Sequence, residues 1–352
     1  MKYGISLLPD CRPEMRTAKQ YFDDVLRLAE LGDELGFSHV KMTEHYLHAA
    51  GGYCPSPLAY LSAVAARTSR IRLLTGGIQA SFHHPIQTAA ETAQVDVMSG
   101  GRLDVGFARA FLPNEFEAFG VSMDGSTERF RSTVRSIVRL WTEEDISEDT
   151  PYYRYENVTS FPQPIQRPHP PVWICAVMSE SSFRWAGEQG FNLLVTASPR
   201  PEAMQGVNKL VSVYRDAFMA NHGASGRSPE TAMVVPLVLA DTDEEALEEA
   251  KPHLQEYIEV WKEAAASVLK VNSADYRGYS QALAKSVEAG SDGAGGNGVI
   301  GSPETAARRV KEMQEVLDMD TILWQVDFGG QPYEKMERTL RLFTDRTLPM
   351  LG

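Results

Sequence analysis

Cysteine is scarce in this chain: Cys11, Cys54 and Cys175 are far apart, odd in number and without any C-x-x-C spacing. A disulfide framework or a zinc knuckle is thereby disfavoured, and the pattern fits a reducing cytoplasm. Long apolar runs are also missing. None approaches the ~18 residues of a membrane span, and the apolar run within residues 1–10 is too short for a signal peptide. Positive charge is in deficit, with 34 Lys and Arg against 47 Asp and Glu, a net −13. Such a chain repels a phosphate backbone, so no nucleic-acid partner is expected, while one small basic pocket for a phosphate stays compatible. What remains is ordinary: 352 residues, 43% hydrophobic and 23% charged. That composition excludes global disorder and a fibrous repeat.

Short apolar runs alternate with helix-periodic stretches. The strand candidates are residues 3–8, 39–43, 71–76, 103–107, 172–176, 192–195, 233–239 and 321–326. Between them, Phe22, Val25, Leu26 and Ala29 form one apolar stripe, and Met336, Leu340 and Phe343 another. Ala306, Val310, Met313 and Leu317 form a third, opened by Ser302 as N-cap and Pro303 as first helical residue. Strand–helix alternation implies parallel pairing by crossover, and eight such strands predict a (β/α)8 TIM barrel in a single domain, 1–352. Three segments exceed a minimal barrel: 110–127, 143–171 and 267–299. Long irregular segments are lids or binding loops, and the last, with five glycines in 289–298, reads as a mobile lid. Its Gly293-Ala294-Gly295-Gly296-Asn297-Gly298 fits G-x-G-x-x-G but neither follows a strand nor opens a helix, so it is not a dinucleotide fingerprint.

Barrel chemistry sits at the C-terminal strand ends. There the sequence collects Pro9-Asp10-Cys11, Glu44-His45-Tyr46, Gly76-Gly77, Ala108-Arg109, Met178-Ser179 to Ser182, and Asp327-Phe328-Gly329-Gly330. The pairs His45/His48 and His83/His84 lack a supporting cysteine or carboxylate pattern, and no metal is expected.

Several segments, in order and at matching spacing, carry a resemblance. They are Met1-Lys2-Tyr3-Gly4, Thr43-Glu44-His45-Tyr46, His84-Pro85-Ile86, the run from Asp96 to Leu103 leading into Gly106-Phe107-Ala108-Arg109, Gly301-Ser302-Pro303-Glu304-Thr305, and the tail from Leu342 to Leu351. Over about residues 1–350 the chain resembles the bacterial luciferase-like family of flavin-dependent monooxygenases. The resemblance implies a (β/α)8 barrel with insertions at the C-terminal face, and reduced FMN (FMNH2) as cofactor. It implies O2 and a small organic substrate, oxygenated through a flavin hydroperoxide, and a separate NAD(P)H-flavin reductase. It also implies a homodimer packed through 57–68 and 85–97.

The same resemblance assigns residues. Arg109 would hold the flavin phosphate, as a bidentate guanidinium suits a phosphate; the alternative is an ion pair with Glu115 or Asp104. Met178, Ser179 and Ser182 would supply backbone N–H groups and a hydroxyl at a helix start, and Arg129 a second guanidinium, its register depending on a two-residue shift. Gly76 and Gly77 would form a cis peptide beneath the ring, and Ala108 would leave room around it. His45 would exchange protons at the reacting end, with Glu44 anchoring the pocket. Phe82, Phe111, Phe116, Trp324 and Phe328 would line the mouth. The competing readings are a deazaflavin-dependent hydride-transfer enzyme and a non-catalytic flavin-binding partner subunit.

Overall fold

Eight strands close into a parallel barrel in the computed structural model, which describes residues 1–10, 12–196, 198–271, 273, 275–276 and 298–352. They are β1 (Lys2–Leu7), β2 (His39–Met42), β3 (Arg72–Thr75), β4 (Leu103–Ala108), β5 (Val172–Ala176), β6 (Asn192–Thr196), β7 (Thr231–Leu239) and β8 (Thr321–Gln325). Each pairs parallel with the next, and β8 closes on β1 with Lys2 opposite Thr321 and Ile5 opposite Trp324. All eight strands lie where the apolar runs predict them. The (β/α)8 fold is thus present.

The connecting helices are α1 (Ala18–Leu35), α2 (Pro57–Arg67), α3 (Pro85–Met98), α4 (Pro113–Ala118), α5 (Ser126–Thr142), α6 (Glu180–Glu188), α7 (Pro201–His222), α8 (Asp243–Val268), α9 (Pro303–Val316) and α10 (Tyr333–Leu342). Local chemistry starts them. Ser302 Oγ accepts from Thr305 N at 3.3 Å with Pro303 in the first turn of α9, and Thr17 and Gln20 form a reciprocal capping box at α1. The buried face of α1 is rotated from the expected stripe. Tyr21, Val25, Leu28 and Ala29 face the core, while Phe22 and Leu26 are only partly covered. Tyr21 turns inward because its hydroxyl reaches a buried carboxylate, described below.

Strand parity sorts side chains into two cores. Ile5, Leu7, Val40, Met42, Val105 and Trp324 point out toward the helices, while Leu74, Trp173, Leu194, Ala232, Val234 and Leu323 fill the barrel. Of the excursions, 143–171 contains an antiparallel hairpin, Ile146–Asp149 with Arg154–Val158. The segment 110–127 contains α4. Most of 267–299, including five residues of the glycine motif, lies outside the described residues, as does Cys11. A short strand, Ile78–Gln79, pairs with the end of β4 after β3 has bent away.

The close approach of β3 and β4 at this point depends on Gly106. A methyl there would meet Thr75 O at 2.1 Å, and Thr75 Oγ1 already bridges the strands, donating to Gly106 O at 2.9 Å and accepting from Gly106 N at 2.8 Å. Backbone cannot yield as a side-chain tip can. Gly106→Ala is expected to cost about 3 kcal/mol, the upper range for overpacking, read as a lower urea midpoint at unchanged slope.

Candidate functional site

The loop after β2 carries the first group of polar residues. Backbone bonds from Thr43 N to Leu7 O and from His45 N to Cys54 O, each 3.2 Å, hold it across the strand ends. His45 is buried, and its Nδ1 lies 3.1 Å from Glu115 Oε1. Glu115 comes from α4 and is fully buried. The same oxygen accepts from Tyr46 N at 2.7 Å and Gln79 Nε2 at 3.4 Å, while Oε2 has no partner among the described residues. A carboxylate at Nδ1 keeps the ring proton there and leaves Nε2 as the working nitrogen. The edge of that ring meets Phe111 at 5.5 Å.

Glu44 is buried beside this couple but serves a different histidine. Its Oε1 accepts from His83 Nε2 at 2.7 Å and Tyr46 OH at 2.9 Å, and its carbonyl accepts from Gln79 Nε2 at 2.8 Å. Burial by itself pulls the His83 imidazole down, but the Glu44 hydrogen bond and charge outweigh it and the net shift is upward. Burial and the Glu44 charge push the Tyr46 phenol up. Glu44 therefore anchors Tyr46 and His83, and Glu115 orients His45. His48 Nδ1 accepts from Ala50 N at 3.0 Å and His84 caps α3.

The end of β3 provides a smooth floor. Gly76–Gly77 is a cis peptide. A methyl on Gly76 would lie 1.9 Å from Lys41 Cε, and one on Gly77 2.8 Å from Phe107 C and 2.9 Å from Cys175 Sγ. No side chain larger than hydrogen fits at either position. Ala108 sits beside them, opposite Gln79 in the ladder.

A basic edge follows at β4. Arg109 Nη1 donates to Thr127 Oγ1 and Nη2 to Asp275 O at 3.4 Å, and its guanidinium stacks on Tyr276 at 4.1 Å. The alternative ion pairs are absent: Glu115 holds His45, and Asp104 holds His39 at 3.2 Å and Arg72 at 2.8 Å inside the barrel. The second arginine here is Arg131, not Arg129. Arg131 Nη2 donates to Ser181 O at 3.0 Å and repels Arg109. Arg129, about 200° away around α5, lies over Tyr152, its buried Nε without a partner among the described residues. Ser179 is the N-cap of α6 but makes no capping bond. Its hydroxyl meets Ser181 Oγ at 2.9 Å. With Met178 before it and Ser182 in the first turn, this helix start presents N–H groups beside two arginines, an arrangement that binds anions.

The aromatic mouth is only partly as expected. Phe82, Phe111 and Phe116 cluster with Tyr276. Phe328 is buried against Tyr257 of α8, and Trp324 points outward onto Tyr3 and Phe343.

Sequence reasoning left Asp10 and Asp327, at the ends of β1 and β8, without a role. Both are buried. Asp327 Oδ2 accepts from Leu8 N at 2.9 Å and Tyr21 OH at 2.8 Å; Asp10 Oδ1 accepts from Gly329 N at 3.0 Å. Among the described residues the remaining oxygen of Asp327 has no hydrogen-bond partner, while the Trp261 indole N–H interacts with Asp10. Burial pushes the Asp327 carboxyl up to about 7, and burial together with the Asp327 charge pushes Asp10 well up. A carboxyl raised on folding stabilises fully at acid pH, and that stability is lost as pH rises through the folded value, here near 7. Asp10→Asn is therefore expected to gain stability relative to the parent as pH rises from below the ordinary carboxylate value, about 4, to 8. Parallel stability curves for parent and variant across that range would show that burial does not raise the Asp10 carboxyl.

Comparison with known proteins follows this geometry. Residues 1–319 match the family described as luciferase-like monooxygenase. The oxygenase component of a flavin-dependent trigonelline monooxygenase from Acinetobacter baylyi is 30% identical over 249 residues, 70% of this chain and 67% of that protein. The crystal structure of monooxygenase RslO1 from Streptomyces bottropensis superposes with a TM-score of 0.83 at 36% identity, covering 100% of both chains. The oxygenating constituent of 3,6-diketocamphane monooxygenase from Pseudomonas putida, in complex with FMN, shares the fold with a TM-score of 0.79 at 20% identity, covering 99% and 98%. F420-dependent glucose-6-phosphate dehydrogenases stand among the more distant relatives.

Proposed function

The chain belongs to the luciferase-like monooxygenase family, and on that premise we propose that it is the oxygenase of a two-component system. It takes reduced FMN from a separate NAD(P)H-flavin reductase and transfers one atom of O2 to a small organic substrate. The observation that carries this reading is the combination, at one end of the barrel, of a buried His45–Glu115 couple with an arginine pair at the start of α6. The first suits a reacting centre and the second a phosphate tail.

The residues fit the cofactor. The cis Gly76–Gly77 peptide would offer bare backbone to a flat ring, with Ala108 adding little bulk. Arg109 and Arg131 would hold the phosphate together with N–H groups of the α6 first turn at Ser179–Ser182. When bound, reduced flavin supplies the electrons that activate O2. His45 Nε2 holds or delivers a proton, and Glu115 fixes the orientation of the ring. Phe82, Phe111, Phe116 and Tyr276 keep water from the reacting end. A homodimer through α2 and α3 is part of the same proposal, supported by the exposed Ala59 and Ala66 on α2 and Val97 and Met98 at the end of α3. So is a location in the reducing cytoplasm, in keeping with the free thiols of Cys54 and Cys175.

Anaerobic titration with reduced FMN and with reduced F420, followed by mixing with O2, tests the reading. Preferential FMNH2 binding and a reoxidation at least tenfold slower than that of free FMNH2 support it. Preference for F420 with no effect on O2 uptake replaces it with hydride transfer.

A further inference from the structure

Among the described residues, Lys41 is a barrel cation with no carboxylate paired to it. It lies on β2, two residues beyond His39 and on the same inward face, and is only 5% exposed. Its stem crosses the space that a Gly76 side chain would fill, with Cγ, Cδ and Cε all within 2.6 Å of a methyl built there. Nζ then reaches the C-terminal rim, where it donates to Thr43 Oγ1, which in turn donates to Leu7 O at 3.3 Å. Among the described residues this hydroxyl is its one hydrogen-bond partner, and no carboxylate lies within ion-pair distance.

Two cations covered by the fold, the partly buried Arg72 and the buried Arg16, are matched. Arg72 makes two bonds to Asp104, at 2.8 and 2.9 Å, and Arg16 pairs with Asp24. Around Lys41 the acidic groups are weak. The Cys175 thiol, across Gly77, is pushed up to about 12 by burial, and so is Cys54. Asp327 is itself raised to about 7. Burial lowers Lys41 to about 8, which still leaves it largely protonated at neutral pH. A buried charge without a partner is strongly unfavourable. Its position at the glycine floor makes a bound anion the natural counterion.

We infer that Lys41 selects the reduced form of the bound cofactor by pairing its ammonium with the negative charge of the reduced flavin ring. This rests on the FMN reading above. The oxidised ring is neutral and gains little from the cation; the reduced ring carries a negative charge at neutral pH and gains its counterion. An oxygenase that borrows its flavin benefits from this difference, because reduced flavin is held and oxidised flavin released.

The test compares the full-length protein with Lys41→Met and Lys41→Gln, measuring dissociation constants for oxidised FMN by fluorescence and for FMNH2 anaerobically. Both variants are expected to weaken FMNH2 at least tenfold and to change oxidised FMN less than threefold. A tenfold change in that ratio lowers the bound two-electron potential by about 30 mV. Lys41→Met is also expected to melt above the parent, since it removes an unpaired buried charge; a purely structural lysine would lower the melting point. An unchanged ratio in both variants, with tight FMNH2 binding by the parent, overturns the role of Lys41 and leaves the cofactor reading intact. Failure of the parent itself to bind FMNH2 overturns both.

Discussion

Arg109→Ala is expected to weaken FMNH2 binding about 100-fold. The guanidinium is held by neutral groups: the Thr127 hydroxyl, the Asp275 carbonyl and the face of Tyr276. No carboxylate side chain among the described residues consumes its charge, so that charge is available to a phosphate. A charge-assisted hydrogen bond contributes about 1.5–3 kcal/mol, and two bonds at the low end give about 3 kcal/mol, or two decades in affinity. Riboflavin, which has the ring and no phosphate, is the control. It should bind the parent no more tightly than FMN binds the variant, which keeps Arg131 and the α6 N–H groups on the phosphate, and Arg109→Ala should not weaken it further. Arg109→Lys should recover part of the loss, because a point charge replaces a fork. Equal FMN affinity in parent and alanine variant would remove Arg109 from the phosphate site.

The site was legible wherever it depends on strand ends. A parallel barrel converts the end of each apolar run into a position on one rim, so Glu44, His45, Gly76, Gly77, Ala108 and Arg109 all fall at that rim once the strands are counted. Contacts across the rim were not legible. Glu115 reaches His45 over 70 residues of sequence, and no spacing rule connects them. Spacing in the sequence offers it only as a partner for Arg109, six residues before it. Helix register caused a second error: α5 begins at Ser126, which turns Arg131 toward Ser181 and Arg129 toward Tyr152. Strand parity caused a third, since Trp324 follows inward Leu323 and so points outward. Lys41 could have been found from parity alone, as a charged residue on the inward face of a buried strand.

The His45–Glu115 couple carries the other large expectation. His45→Ala should lower product formation by about 10²–10⁴-fold, the usual range for losing a general acid–base group. Glu115→Ala should approach that loss, because it removes the acceptor that fixes the imidazole and leaves Tyr46 N and Gln79 Nε2 without it as well. The two effects should not add. If Glu115 acts through His45, the double variant resembles His45→Ala alone. A merely structural glutamate would instead give additive losses and a lower melting point. Imidazole 15N shifts separate these cases without a substrate. With Glu115 in place, neutral His45 should carry its proton on Nδ1; in Glu115→Ala the proton should redistribute to Nε2, and Glu115→Asp should restore it only in part, because the shorter side chain retracts the carboxylate from a bond of 3.1 Å. An Nδ1 proton that persists in Glu115→Ala would show that another group orients the ring. The couple would then be a packing contact of the buried α4 carboxylate.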